Sequence, residues 1–500
     1  MGHTFAVQKN KQGTNRPLVL VSIMLATFMG AIEATIISTA MPAIVADLGE
    51  FSLYSWIFSA YLLMNTVTVL IYGKLADLFG RKPILTIGVL VFLIGSLLCG
   101  FANSMKMLVV FRLIQGLGAG AVIPISTTIV GDIYSVEERA KIQGYLASVW
   151  GISAIVGPAL GGLIVEYISW PFVFWINIPL GILSLIGIWL FLFEKVEKKK
   201  HKIDYAGTFF ITVSISSFMY LLVEGGTRWS WMSLPAIGLL LISVCTFLLF
   251  IFQEKKAKEP MMPFSIWKNR SIFIANIASL TTGVMLIGIS SYLPAFVQGV
   301  MEQSTIVAGF TLTSMSIGWP IASTIAGRIL LKIGYRNTAL LGGLSLLFGS
   351  ILFVVLSADS GPLLAVAGSF FIGVGMGLTG TAFIVLIQNS VTWQQRGVAT
   401  AANMFMRNLG NTVGAAFLGS LLNNQFLLYM KDKVQEGQHF TVDSANMLLD
   451  ENSRNGLTGQ VKLLLQGGLT YSLHFVYLAV FLSAIVSFLL VFFLPRSKKT

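Results

Sequence analysis

Residues Leu18–Pro42 read LVLVSIMLATFMGAIEATIISTAMP, an apolar run that contains one charged residue, Glu33. About 20 consecutive apolar residues are enough for a helix to cross the hydrocarbon core of a membrane. A carboxylate at that depth is costly, and such residues commonly mark an ion or substrate pathway. The stretch therefore predicts a transmembrane helix, and Glu33 is its candidate functional residue.

The composition extends this prediction to the whole chain. The 500 residues are 55% hydrophobic and only 11% charged, whereas soluble domains carry about 25% charged residues. Apolar runs alternate with charged or Gly/Pro-rich segments, which is typical of an all-α polytopic membrane protein. The predicted spans number fourteen and lie near 18–42, 52–72, 84–102, 106–130, 142–166, 172–192, 206–225, 232–252, 271–297, 306–325, 338–357, 362–388, 399–422 and 471–494.

The distribution of charge predicts the orientation. A net charge of +12 would suggest nucleic-acid binding in a soluble chain. Here most lysines and arginines fall in alternate loops, so membrane orientation explains them and no nucleic acid is expected as a partner. The same rule makes 1–17 a cytoplasmic N-terminus and 496–500 a cytoplasmic tail. The two cysteines and four histidines show no metal-ligand spacing, so no metal site is expected.

An internal repeat divides the chain. The loop Gly73–Lys82 recurs as Gly327–Arg336, and Gly116-x-Gly118-x-Gly120 recurs as Gly373-x-Gly375-x-Gly377 at nearly the same offset. Repeated six-helix units are typical of secondary transporters. The predicted organisation is an N-terminal six-helix bundle at 18–193, two inserted spans with basic linkers at 194–270, and a C-terminal six-helix bundle at 271–495 that includes a polar extracellular loop at 423–469.

Two charged motifs stand out in the first half. The loop between spans 2 and 3 places Asp77 near Arg81, with Gly73 and Gly80 available for a tight turn. A basic loop that only sets the membrane topology is the simpler interpretation. Its recurrence in the second half favours a functional role in transport. Arg112 lies inside span 4 and needs a partner or a water-filled cavity at that depth. A purely structural arginine is the alternative.

Small residues predict close helix packing. Gly116 and Gly120 in span 4, and Gly157-Pro158-Ala159-Leu160-Gly161-Gly162 in span 5, would let neighbouring helices approach closely. Proline inside a span also removes a backbone hydrogen bond and kinks the helix.

Together these motifs resemble the fourteen-helix drug:proton antiporters of the major facilitator superfamily. The resemblance runs from Pro17 to Pro495 and rests on the span-1 sequence around Glu33, the charged loop, the span-4 arginine and the Gly157–Gly162 segment. It implies the major facilitator fold of two six-helix repeats plus two inserted helices, with 14 transmembrane spans. It also implies proton coupling through Glu33 and Arg112, a cytoplasmic gate at Gly73, Asp77, Gly80 and Arg81, and an antiporter motif at Gly157, Pro158, Gly161 and Gly162.

Departures from the family pattern narrow the cargo. Span 10 carries no acidic residue, and span 13 carries Arg407, which favours cargo other than multivalent cations. Arg407 could also snorkel to the membrane surface as a structural residue. Residues that could line a drug cavity are Trp56, Tyr61, Gln115, Tyr292, Phe296, Trp319 and Arg407, although packing or lipid contact is an alternative for the aromatic side chains.

Glu33 and Arg112 are expected at similar depth. Helices rise 1.5 Å per residue, and the two residues lie comparable distances from the outer ends of spans that run in opposite directions. We therefore expect a direct or water-bridged pair that takes part in proton exchange.

The predicted function is proton-driven multidrug efflux by alternating access, with lipophilic or cationic small molecules exchanged for inward protons. The expected partners are drugs, protons and the lipid bilayer, with no cofactor beyond the proton gradient. The protein is expected to act as a monomer in a bacterial cell membrane. A proton-coupled exporter of one dedicated metabolite, such as a lipid, siderophore or antibiotic, is the alternative. An enzyme is not expected, since no His, Asp and Glu cluster joins adjoining spans.

Overall fold

The computed structural model describes residues 13–48, 54–194, 204–225, 229–257, 264–303, 305–433, 444, 447–448, 454 and 456–495. Regular structure in these residues is helical, without a strand. The helices are α1 (Arg16–Leu48), α2 (Tyr54–Phe79), α3 (Arg81–Gly100), α4 (Met105–Ile133), α5 (Val136–Tyr167), α6 (Phe172–Trp175), α7 (Asn177–Phe191), α8 (Tyr205–Glu224), α9 (Leu234–Lys256), α10 (Phe264–Lys268), α11 (Arg270–Ala295), α12 (Thr305–Val354), α13 (Pro362–Asn389), α14 (Arg396–Lys433) and α15 (Gly459–Phe492).

Each predicted span overlaps one of these helices. The long α12 covers two predicted spans. Gly334 separates them, because its angles of φ 81° and ψ 169° are not helical. By length and composition, ten helices in the described part of the chain could cross a membrane. Helices dominate because lipid offers no hydrogen-bond partners, so each backbone group must find its partner within the protein.

The polar stretch predicted as an extracellular loop contains the ends of two helices. The stretch 423–469 begins and ends in helix, since α14 continues to Lys433 and α15 starts at Gly459. Phe426 and Met430 of α14 are buried in one hydrophobic cluster with Leu465 of α15. A hydropathy pattern ends where the lipid ends, whereas a helix continues as long as one of its faces packs against a neighbour.

The chain forms two compact units. The first comprises Met1–Ile133 with Val156–Lys202, and the second comprises Tyr134–Ile155 with Ile203–Thr500. The helices α8 and α9, predicted as an insertion, belong to the second unit. Ser214 of α8 and Ser243 of α9 join these two helices, because each hydroxyl donates to the backbone carbonyl of the other residue.

The glycine motif of α4 explains how this helix packs between α2 and α3. A methyl group added at Gly116 would lie 2.5 Å from the Tyr61 carbonyl oxygen on α2, and one added at Gly118 would lie 2.5 Å from the Gly88 carbonyl oxygen on α3. A methyl at Gly120 would meet Thr68 on α2. Only glycine permits these approaches, which bring polar side chains on the three helices within reach of each other.

The second copy of the glycine motif packs in the same way. A methyl at Gly373 would strike the Met315 carbonyl in the first half of α12, and one at Gly375 would lie 2.8 Å from the Gly342 carbonyl oxygen in its second half. Equivalent glycines therefore face equivalent helices in both units. The repeat inferred from spacing is also a repeat of packing.

Candidate functional site

Glu33 forms a fully buried ion pair in the first unit. Its side chain on α1 is 0% exposed, and its Oε1 oxygen accepts a hydrogen bond from Nη1 of Arg112 on α4. The Arg112 side chain is 2% exposed. The two groups lie on the same side of the bundle, as their expected depths indicated. A buried carboxylate and a buried guanidinium each cost free energy to desolvate, and the pairing offsets much of that cost.

Arg112 connects three helices through its guanidinium. Its Nε donates to the Ile57 carbonyl of α2 at 3.0 Å, and its Nη1 donates to Gln115 Oε1 at 2.6 Å. The ring of Tyr61 lies 4.3 Å from the guanidinium carbon, within the range of a cation–π contact. Arg112 is therefore held by a carboxylate, a carbonyl, an amide and an aromatic face. Its position depends on α1, α2 and α4 together.

Asn177 is a partner that the sequence analysis did not identify as a site residue. Its Nδ2 donates to the second oxygen of Glu33 at 2.5 Å and to Ser96 Oγ at 3.3 Å. Ser96 in turn accepts from Gln115 Nε2 at 2.7 Å. A charge-assisted hydrogen bond of this kind stabilises the ionised carboxylate. Asn177 opens α7, and its polar side chain at the start of an apolar helix was the available signal.

The charged loop forms a second buried cluster in the first unit. The Arg81 side chain is 2% exposed and contacts Asp77 at 2.6 Å and Asp132 at 3.1 Å. It also donates to the Ala76 carbonyl at 2.9 Å. Gly80 directly precedes it with a φ of 97°, which L side chains rarely adopt. This turn is what allows the arginine at the start of α3 to fold back onto α2.

Glu194 and Lys82 tie the start of α3 to the end of α7. The Glu194 carboxylate accepts from the backbone N–H groups of Arg81 and Lys82, both at 2.8 Å. Lys82 Nζ donates to the Leu192 carbonyl at 2.8 Å and to the Trp189 carbonyl at 3.0 Å. An anion thus meets a helix N-terminus and a cation meets a C-terminus, which is the favourable arrangement for both helix dipoles. Neither Asp132 nor Glu194 was predicted as a partner of this loop.

The second copy of the loop keeps the turn but not the cluster. Gly334 has a positive φ of 81°, as Gly80 does. Leu331 replaces the aspartate and is half exposed. Arg336 donates to the Phe492 carbonyl at 2.8 Å, and its guanidinium lies 5.1 Å from the ring of that residue. The two copies share a backbone shape, and only the first carries buried ion pairs.

The Gly157–Gly162 segment lies in α5. A methyl group at Gly157 would strike the Thr35 hydroxyl of α1, two residues from Glu33. The side chain of Pro158 lies outside the described residues. Gly161 is buried and Gly162 half-buried. Gly157 therefore sets how closely α5 approaches the helix that carries the buried carboxylate.

The predicted cavity residues fall into different environments. Tyr61 and Gln115 belong to the ion-pair network of Arg112. Phe296 is 0% exposed and packs against Tyr477 at 5.8 Å between ring centroids, so it is a core residue of the second unit. Trp56 is half-buried on α2.

The other three predicted cavity residues lie in the second unit. Tyr292 is half-buried on α11, and its hydroxyl donates to the Ala415 carbonyl at 3.4 Å. Trp319 and Arg407 line one cavity between α11, α12, α13 and α14. Of the predicted cavity residues, Tyr61 and Gln115 thus both contact Arg112, Trp319 and Arg407 line one cavity, and Phe296 lies in the core.

Comparison with known proteins identifies the family. The family model described as Major Facilitator Superfamily matches residues 23–415. The chain belongs to the major facilitator superfamily. It is 35% identical over 428 residues to "Multidrug transporter protein MdtP" of Bacillus subtilis (strain 168), covering 86% of this chain and 79% of that protein. It is 37% identical over 422 residues to "Multidrug resistance protein 3" of the same organism, covering 84% and 82%.

A solved structure shows the same fold at low sequence identity. The human organic anion transporter MFSD10 (TETRAN) matches with a TM-score of 0.64 and 12% identity, covering 95% of this chain and 99% of that one. At that identity the likeness shows the fold alone. Membership of the superfamily makes this protein a multi-pass membrane transporter of small molecules rather than an enzyme, which confirms the resemblance on which the motif assignments rest.

Proposed function

We propose that this protein is a proton-driven multidrug exporter that works by alternating access. It exchanges lipophilic or cationic small molecules for inward protons, and the proton gradient is its energy source. We further propose 14 transmembrane spans, both termini in the cytoplasm, and action as a monomer in a bacterial cell membrane. The names of the two Bacillus relatives support a multidrug cargo, and the buried Glu33–Arg112 pair supports proton coupling.

The buried Glu33–Arg112 pair is the main support for the proposal, because binding of one proton changes its net charge. With Glu33 ionised, the pair is neutral overall and both groups are hydrogen-bonded. Protonation of Glu33 would leave Arg112 as an uncompensated buried cation. Leaving one partner of a buried pair alone costs about 3–5 kcal/mol, so protonation of Glu33 disfavours the present helix packing by about that amount.

Because Arg112 contacts several helices, protonation of Glu33 would also favour a different packing of those helices. The guanidinium holds α1 through Glu33, α2 through Ile57 and Tyr61, and Gln115 on its own helix. A protonated Glu33 favours any arrangement in which Arg112 gains water or a different partner. Proton binding and helix rearrangement are then two aspects of one equilibrium, as alternating access requires.

Transport in proteoliposomes tests the proposal. Purified wild-type protein is reconstituted, a pH gradient is imposed, and ethidium accumulation and proton flux are recorded together. We expect uphill ethidium transport with opposite proton flux in the wild type, and none in Glu33→Gln. Glu33→Asp, which keeps the acid, is the matched control and should retain coupled transport. Uphill transport by correctly inserted Glu33→Gln would contradict the proposal.

A panel of unrelated dyes separates multidrug export from the export of a single metabolite. We expect several dyes of different skeleton to compete with ethidium for transport. Transport of ethidium alone, without competition from the others, would favour a dedicated exporter.

A further inference from the structure

Among the residues that the structure describes, Arg407 has no carboxylate partner. It lies in α14, and the cavity beside it is lined by residues of α11, α12, α13 and α14. The first three of these helices contain no Asp or Glu, and the single acid of α14, Asp432, lies about 37 Å away along the helix. Within the described part of the chain the Arg407 side chain makes no ion pair or hydrogen bond. This contrasts with Arg112, which faces Glu33.

An unpaired charge at this depth requires an explanation. Arg407 is half-buried beside the cavity. A charge within a membrane span is costly without a counter-charge, and such residues commonly serve substrates or ions. The protein provides Glu33 for one such arginine and provides no acid on the helices around the other. The counter-charge for Arg407 is therefore to be sought in a ligand.

The cavity beside Arg407 has the composition of an amphipathic binding site. Its free volume of about 20 Å³ is enough for a group the size of a water molecule. Apolar side chains form much of its wall, among them Trp319, Met376 and Phe383. The cavity thus has one charged group and a mostly apolar wall, as small-molecule binding pockets usually do.

Three polar residues of the cavity wall donate their hydrogen bonds to other groups of the protein. The Thr282 hydroxyl donates to the Ser279 carbonyl at 2.8 Å, and the Thr379 hydroxyl donates to the Gly375 carbonyl at 2.8 Å. Asn403 Nδ2 donates to Asn276 Oδ1 at 3.1 Å and to Ser279 Oγ at 2.8 Å. The guanidinium is the one charged donor among the residues that line the cavity, and its planar fork suits a carboxylate.

We propose that the cavity around Arg407 is a binding site for the carboxylate end of lipophilic organic acids. The inference that lipophilic carboxylates are also exported rests on the proposed function, whereas their binding to the site does not. The present free volume holds only a group the size of a water molecule, so the carboxylate and the apolar body both enter as the surrounding helices move apart. The charge selects the acid, and the aromatic and aliphatic wall contacts its body.

Gly380 supplies a way to test the space separately from the charge. It lines the cavity, and a methyl group added there would meet no atom within 4 Å. Gly380→Ala therefore fits the fold and reduces the room for a ligand while leaving Arg407 in place. Arg336→Gln is a matched control, because this arginine is in the same unit, donates to the Phe492 carbonyl and does not line the cavity.

Direct binding to the purified full chain in an uncharged detergent tests the site without transport. The probes are 1-pyrenebutyrate and the uncharged 1-pyrenebutanol, detected by energy transfer from tryptophan. Loss of a hydrogen-bonded charge pair weakens binding about 10- to 100-fold. We expect that loss for pyrenebutyrate in Arg407→Gln, with recovery of most of the affinity in Arg407→Lys. Pyrenebutanol should bind similarly to the wild type and to Arg407→Gln.

Gly380→Ala should weaken both probes, and Arg336→Gln should weaken neither. Equal binding of pyrenebutyrate to the wild type and to Arg407→Gln would overturn the proposal. Should Arg407→Gln not fold, unchanged binding of both probes to Gly380→Ala would overturn it as well.

Thermal stability distinguishes a ligand-binding arginine from a structural one. Removing a half-buried charge that has no counter-charge should raise the melting temperature of ligand-free Arg407→Gln, whereas removing a structural arginine would lower it. Pyrenebutyrate should raise the melting temperature of the wild type and leave that of Arg407→Gln unchanged. A lower melting temperature of ligand-free Arg407→Gln would contradict the inference.

The transport assay keeps the two proposals separable. Arg407-dependent binding without proton-driven transport would refute the proposed function and leave the binding site standing. Proton-driven ethidium transport together with pyrenebutyrate binding that does not depend on Arg407 would support the proposed function and refute the binding site.

Discussion

The two copies of the charged loop allow a comparison within one molecule. Arg81 directly follows Gly80, and Arg336 lies two residues after Gly334, at the position of Lys82 in the first copy. Both glycines have positive φ, yet the surroundings of the two arginines differ. Arg81 is buried between Asp77 at 2.6 Å and Asp132 at 3.1 Å. Arg336 is half-buried and contacts only a carbonyl and a ring of Phe492 among the described residues. We predict that Arg81→Gln destabilises the protein much more than Arg336→Gln.

The magnitudes follow from the contacts. Arg81→Gln breaks a buried ion pair and leaves two facing carboxylates, so the free energy of unfolding should fall by about 3–5 kcal/mol. Asp132→Asn removes one of the two partners and should cost about 1.5–3 kcal/mol, the value of a hydrogen bond to a charged group. Arg336→Gln loses one hydrogen bond to a carbonyl and one cation–π contact, so about 1 kcal/mol is expected.

The assay is thermal unfolding in detergent, followed by intrinsic tryptophan fluorescence. The melting temperature should rank wild type above Arg336→Gln, then Asp132→Asn, then Arg81→Gln. The double variant Arg81→Met with Asp77→Leu should be more stable than Arg81→Gln, because it leaves fewer unpaired buried charges. An Arg336→Gln variant as unstable as Arg81→Gln would refute the argument, since burial and carboxylate contact would then not decide the cost.

Further expectations concern the loop turns and the ion pair between Glu302 and Lys462. Gly80→Ala and Gly334→Ala should each cost about 1–2 kcal/mol, because an L side chain is strained at positive φ, whereas Gly238→Ala on open helix surface should stabilise by about 1 kcal/mol in the same melting assay. Lys462 holds the pKa of Glu302 below its usual range through a 2.7 Å hydrogen bond. A lowered folded-state pKa contributes stability above the unfolded value, near pH 4.3, which is lost as the pH falls through the folded one. The melting temperature should therefore fall less between pH 7 and pH 4 in Glu302→Gln than in the wild type, and an equal fall would contradict this.

Hydropathy and small-residue spacing were sufficient for the fold class. Lipid forces each spanning segment to be helical, so apolar length alone predicts a helix. The glycines at Gly116 and Gly373 predicted a repeat because only glycine allows the close approach that both packings need. At 423–469 the helices extend beyond the apolar runs that predicted them.

The site was predictable only in part. Counting residues from the span ends placed Glu33 and Arg112 at one depth, and the structure shows the contact. Their role in proton coupling stays a prediction. Asn177, which completes the carboxylate's hydrogen bonds, lies 144 residues from Glu33 in the chain. Nothing in local spacing connects them, because the hydrogen bond depends on how α7 packs against α1.

The sequence by itself determined that this is a helical membrane transporter built from a repeat, with ionisable residues in spans 1, 4 and 13. Only the tertiary structure decided which of those charges are satisfied. Helices that are apolar on all sides carry no pattern that tells a lipid-facing side from a core-facing one. Thus the sequence could not tell that Phe296 is in the core while Arg407 borders a cavity. Partners and cavities arise between helices, so they depend on packing that no single helix encodes.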